Sequence, residues 1–116
     1  MTEDSLNVPG QLLPALKTEV PGLVSREYSQ RLKRVECQGI TYSGESFPVF
    51  WERALGSNVW DVDGNRFVDL TAAFGVASCG HSHPELAAAA GEQSVSLLHG
   101  MGDVHPPKSK LEFLEK

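Results

Sequence analysis

Val59 to Leu70 reads VWDVDGNRFVDL, and the rest of the chain is organised around it. Two short runs of β-branched and aromatic residues flank Asp63-Gly64-Asn65-Arg66. Gly64 and Asn65 both tolerate positive φ, so the tetrapeptide has the chemistry of a hairpin turn. One run earlier, Pro48 opens PVFWERALG, and Gly56-Ser57 separates it from SNVWDV. The three runs predict a three-stranded antiparallel meander, a sheet that is marginal alone and needs another layer. Asp61, Asp63 and Asp69 are expected to accept hydrogen bonds at the turn and strand ends.

Upstream, residues 1–24 hold Pro9, Pro14 and Pro21 without a sustained period and read as an extended arm, followed by a folded region over residues 25–116. Ser25 is the expected cap of a helix through SREYSQRLKRVEC, with Tyr28, Leu32 and Val35 on one face and Gly39 as its end. Downstream, LTAAFGVASCGHSHP (70–84) carries no fixed charge, which predicts a stretch that is buried or lines a cleft. A second helix is expected from Ser82–Pro84, with Ser82 or His83 as cap, through ELAAAAGEQSVSLLH to Gly100. Its small face, Ala87, Ala90, Gly91 and Ser94, suits close approach of another backbone. A third begins after Pro106-Pro107 with Leu111 and Leu114 on one side, and LEFLEK carries no stop signal, as expected of a segment of a longer protein.

The 116 residues are enough for one domain, and 41% hydrophobic against 22% charged residues reads as globular. A net charge of −5 with scattered Lys and Arg argues against nucleic acid. The two cysteines, Cys37 and Cys79, have no CxxC spacing and suit a reducing compartment. No signal-peptide pattern opens the chain, and no apolar run approaches the ~20 residues of a membrane span, so a soluble, cytoplasmic protein is predicted.

Complete catalytic or metal chemistry is not found. Asp61, Asp63 and Asn65 match the first ligand positions of an EF-hand loop, but Arg66 stands where its glycine belongs and Ala72 where its glutamate belongs. His81 and His83 lack companion ligands and read as a turn hydrogen-bonder and a helix-entry residue, so no metal is expected. There is no GxSxG, and neither cysteine sits in an activating motif.

The order of the motifs, however, resembles the N-terminal part of the class III (omega-type) pyridoxal-phosphate aminotransferases. The matching positions are Arg53 to Gly56, Trp60 to Leu70, Gly75-Val76, Gly80 to Pro84, Gln93, and Leu97 to His99, while Pro21 to Glu27 resembles the 4-aminobutyrate-type branch. The resemblance implies fold type I, an α/β homodimer in the complete protein, with this α+β segment (helix, meander, two further helices) in the smaller domain. It implies amino transfer between a small-molecule amino donor and a 2-oxo acid on pyridoxal 5′-phosphate. The Schiff-base lysine, pyridinium partner and phosphate loop are not assignable in this chain, so it is expected to be inactive alone. What the resemblance implies for this segment is a substrate-pocket wall at Phe74, Gly75 and Val76, and an active-site loop at the dimer interface from Met101 and Gly102 through Asp103 to Val104. The competing reading is a stand-alone interaction or regulatory module without cofactor.

Overall fold

The computed structural model describes residues 12–116, and the first half of the predicted arm, residues 1–11, lies outside the described residues. In chain order the elements are α1 (Leu23–Val35), β1 (Trp51–Leu55), β2 (Asn58–Asp61), β3 (Arg66–Val68), α2 (Pro84–Ser96) and α3 (Lys108–Leu114). The chain divides into two units, one running to Ser82 and the other from His83 to Lys116.

In the first unit the strands form the expected antiparallel meander in the order β1-β2-β3. Trp60 pairs with Arg53 on one side and Arg66 on the other, and the register shifts between Trp51 and Arg53. β1 starts at Trp51 rather than at Pro48, since proline offers no N–H to a ladder. β3 ends at Val68, so Asp69-Leu70 lies beyond the sheet. As the central strand, β2 is buried along its whole length. Val59 and Trp60 form the apolar core, and the Arg53 guanidinium lies 3.7 Å from the centroid of the Trp60 ring.

Among the described residues, much of the remaining interior is polar. Ser25, Asn58, Asp61 and Asn65 are all buried. Among the described residues, every buried side-chain nitrogen or oxygen has a hydrogen-bond partner. Asp61 accepts from the amides of Asp63 at 3.0 Å and Asn65 at 2.7 Å, which sets the turn, where Gly64 has φ +82°. Asn65 does not take the positive φ that its residue type allows. It turns inward instead, accepting the Lys17 and Thr18 amides at 2.7 and 2.9 Å and donating to Asp61 at 2.8 Å. The arm is thereby fastened to the hairpin, and Ala15 forms a two-bond antiparallel bridge with Arg66.

α1 begins at Leu23, with Gly22 as N-cap, and Ser25 is a buried residue inside its first turn rather than the cap. The capping group comes from the hairpin. Asp63 accepts the Val24 amide at 2.8 Å and the Ser25 amide at 3.0 Å, two of the donors a helix start leaves unpaired. The helix ends at Val35, four residues before Gly39, where Glu36 adopts extended backbone. Tyr28 packs edge-on against Phe50 at 5.6 Å, whereas Val35 of the predicted apolar face is exposed.

Desolvation pushes the Asp63 carboxyl up, but the Ser25 hydroxyl, the Ser25 and Val24 amides and Arg26 together hold it below its ordinary value of 3.8. A carboxylate depressed in the folded state contributes stability that is present above the unfolded value and lost as pH falls through the folded one. The stability difference between the wild-type chain and Asp63→Asn, followed by thermal melting, should therefore be constant from pH 7 to about 5 and shrink below about pH 4. A difference independent of pH would refute the charged cap.

In the second unit, α2 begins at Pro84 with His83 as N-cap, as expected, but ends at Ser96. Leu97 is extended (φ −159°), so Leu97 to His99 lie outside the helix that the sequence carried to Gly100. Ala87, Ala90, Gly91 and Ser94 are exposed. α3 starts after Pro107 as expected, and Lys108 pairs with Glu112 at 2.7 Å. No helix among the described residues is long and apolar enough to cross a membrane.

Candidate functional site

The uncharged stretch after β3 forms a loop closed at its base. Both of its ends are tied to the β1–β2 turn: the Asp69 amide donates to Ser57 O at 2.8 Å, and His81 exchanges two backbone bonds with Gly56 at 2.8 and 2.9 Å. The two ends are also tied to each other, because His81 Nε2 lies 2.8 Å from Asp69 Oδ2. The side chains of this pair are 14% and 4% exposed, and Trp51 meets the imidazole edge-on at 5.9 Å. Gly80 makes the closure possible, since it has φ +87° and a Cβ there would meet Gly56 Cα at 3.3 Å.

Asp69 also organises the start of the loop. Its Oδ1 accepts the Thr71 amide and hydroxyl, both at 2.8 Å, and its Oδ2 accepts the Ala73 amide at 2.8 Å. The bond to His81, followed by those to Thr71 and Ala73, holds its carboxyl far below the usual carboxylate range. An ionised Asp69 can only accept, which places a proton on His81 Nε2. His81 thus bonds not within its own turn, as its sequence position suggests, but to a residue twelve positions away.

Between these anchors the backbone turns left-handed. Ala72, Ala73 and Phe74 have φ of +50°, +48° and +57°, and Gly75 follows at +87°. Gly75 N donates to Thr71 O at 3.1 Å and Ala77 N to Ala72 O at 2.9 Å, completing a left-handed helical turn. For L-residues with a Cβ this conformation costs about 1–2 kcal/mol each, and such strain persists only where the surroundings enforce it.

The turn displays its side chains outward. Phe74 is 98% exposed, and Leu70 and Val76 are also largely exposed. The expectation that the stretch is buried or lines a cleft is corrected in its first half for the chain by itself: Phe74 to Val76 are exposed and Ala72 and Ala73 half-buried, while Leu70 and Thr71 border a cavity with Trp51, Val59 and Phe67. Phe74, Gly75 and Val76 are thus brought together on one turn of the first unit.

Met101 to Val104 belongs to the second unit and forms a tight turn, in which Met101 N donates to His105 O at 3.0 Å and Val104 N to Met101 O at 3.0 Å. Gly102 has φ +54°, and Met101, Asp103 and Val104 are exposed. Gly100 is required by packing, because a Cβ there would lie 2.7 Å from Pro107 Cδ. The Asp69–His81 pair escaped the sequence reading. The Asp69-x-Thr71 spacing is a signature of a side-chain-capped turn and is the signal that could have found its near half.

The family model described as aminotransferase class III matches residues 40–116. The chain belongs to this family.

Among individual relatives, it is 39% identical over 84 residues to a 4-aminobutyrate aminotransferase of Mycobacterium leprae (strain TN), covering 72% of this chain and 18% of the relative. It is 38% identical over 69 residues to the mitochondrial ornithine aminotransferase of Arabidopsis thaliana, covering 60% and 14%. With an alanine/serine racemase of Pyrococcus horikoshii it shares 36% over 97 residues, covering 84% and 20%. The chain spans between about one seventh and one fifth of the length of these curated relatives.

The family implies pyridoxal phosphate, and the lysines of this chain do not fit the task of forming a Schiff base with it. A Schiff base needs a lysine that sheds its proton readily, usually through burial. All five lysines are exposed, and Glu112 raises the Lys108 pKa, the opposite of what that chemistry requires.

Proposed function

We propose that this chain is the N-terminal segment of a pyridoxal-phosphate-dependent transaminase that moves an amino group from an amino acid or ω-amine to a 2-oxo acid, and that it supplies substrate-pocket wall rather than reacting groups. The observation carrying this reading is the clasped left-handed turn, which holds Phe74 outward at a backbone cost a solvated loop has no reason to bear. In the whole protein, of fold type I, Phe74, Gly75 and Val76 face the substrate and exclude water without introducing an unpaired charge. The Met101–Val104 turn reaches toward the active site at the interface of a cytoplasmic homodimer. The exposed apolar residues of the chain, Leu70, Val76, Val95 and Leu98 among them, are then covered by the rest of the enzyme.

The test is Phe74→Ala in the whole enzyme, assayed with short and long amino donors and a 2-oxo acid acceptor. Opening a pocket by several methylenes should shift the ratio of kcat/KM for long over short donors by at least about tenfold in favour of the long. An unchanged ratio would remove Phe74 from the pocket. Inversion of the donor's α-carbon with no transfer to the acceptor would place the enzyme with its racemase relative instead.

A further inference from the structure

The Asp69 side chain hydrogen-bonds at both ends of the loop. Its Oδ2 alone serves the Ala73 amide, inside the left-handed turn, and His81 Nε2, at the loop exit. Its Oδ1 serves Thr71, and its own amide is pinned to Ser57. His81 in turn is held by Gly56 through two backbone bonds and by the edge of Trp51. A network of this kind, half-buried and satisfied, has few alternative arrangements. The left-handed turn, by contrast, has many, because three residues with a Cβ relax toward negative φ once released.

We propose that Asp69 and His81 are positioning residues for donor selectivity: their contact locks the left-handed turn, and through it the place of Phe74 against the substrate. This rests on the pocket-wall reading above. Neither residue needs to touch substrate or cofactor. Their removal should blur the discrimination between donors of different length while leaving the turnover of a short donor nearly intact. A group acting directly on the reacting atoms would lower turnover for every donor.

The experiment has two arms. In the 116-residue chain, amide hydrogen exchange is followed by NMR at Gly75 and Ala77, whose N–H groups close the turn. His81→Phe keeps a ring against Trp51 but deletes the bond to Asp69, and should speed exchange at those two amides about tenfold or more while leaving Asn65 and Arg66 unchanged. His81→Gln retains an N–H donor for Asp69 and should restore most of the protection. Should His81→Phe fail to fold, Asp69→Asn serves, since a single carbonyl oxygen cannot accept on both sides as the carboxylate does.

In the whole enzyme, the same variants should shift the long-versus-short donor ratio about tenfold toward the long donor, the direction of Phe74→Ala, through KM, with kcat for the short donor within about threefold of wild type. Unchanged exchange at Gly75 and Ala77 would overturn the proposal. So would faster exchange with donor selectivity intact in an enzyme where Phe74→Ala alters it. If Phe74→Ala itself leaves selectivity untouched, the pocket-wall reading is what fails, and with it the role in selectivity, whatever exchange reports of the contact.

Discussion

Asn65→Ala should lower the unfolding free energy of the chain by about 3 kcal/mol, because four hydrogen bonds of about 1 kcal/mol net each disappear and water entering the site recovers part. The side chain is fully buried and joins three segments, taking the Lys17 and Thr18 amides at 2.7 and 2.9 Å, giving to the Thr18 hydroxyl at 2.9 Å and to Asp61 at 2.8 Å. Alanine leaves two arm amides and one carboxylate oxygen without their partner, and a buried group left unpaired costs more than its bond was worth. Urea unfolding measures the loss, and NMR exchange at Lys17 and Thr18 locates it. Asn65→Asp, equal in volume, should be no better, since it sets a second carboxylate against Asp61 where an N–H stood. A loss under about 1 kcal/mol for either variant would refute the role of Asn65 as the fastening of the arm.

Gly22→Ala should be nearly as damaging, for a reason unrelated to backbone freedom. Gly22 has φ −74°, which any residue adopts. The obstacle is Asp63: a Cβ on Gly22 would overlap the carboxyl carbon of Asp63 and lie 2.6 Å from its Cβ. Asp63 is too short to swing clear without abandoning the Val24 and Ser25 amides, so the methyl group removes the cap, a loss of about 1–2 kcal/mol, and adds strain of similar size. The double-mutant cycle is decisive. In an Asp63→Gly background, which removes the Cβ as well as the carboxylate, the same substitution should cost less than about 0.5 kcal/mol, giving a coupling of at least about 1 kcal/mol. Additive effects would mean that the two residues do not share one space.

The meander was legible in the sequence because its signals are local: a Gly-bearing turn between alternating runs, and breaks at Pro48 and Gly56. The starts of α2 and α3 were legible from Pro84 and Pro107 for the same reason. The ends of α1 and α2 were not, since Val35 and Ser96 are followed by residues that fit a helix equally well, and extended backbone at Glu36 and Leu97 ended both. The true cap of α1 lies 38 and 39 residues from the amides it serves, beyond any capping motif. Asn65 advertised a turn conformation and instead spent its amide on the interior, where tertiary partners outweigh a residue's own preference.

The site divides in the same way. Phe74 to Val76 and Met101 to Val104 were named through family likeness, because nothing in their composition marks them. The left-handed turn was invisible, since Ala-Ala-Phe carries no residue that favours positive φ. Its cause, the contact between Asp69 and His81, spans twelve positions and leaves only the Asp-x-Thr half in local sequence.

The borrowed cap of α1 also fixes an order of events during synthesis. Leu23 to Val35 is synthesised before Asp63 is added, and an isolated stretch of 13 residues is too short to hold helical form in water. At about 5–20 residues per second, the emerging segment waits some seconds for its carboxylate. The nascent chain therefore sets its first helix only after its hairpin has been made, and the two halves of this unit come into being together.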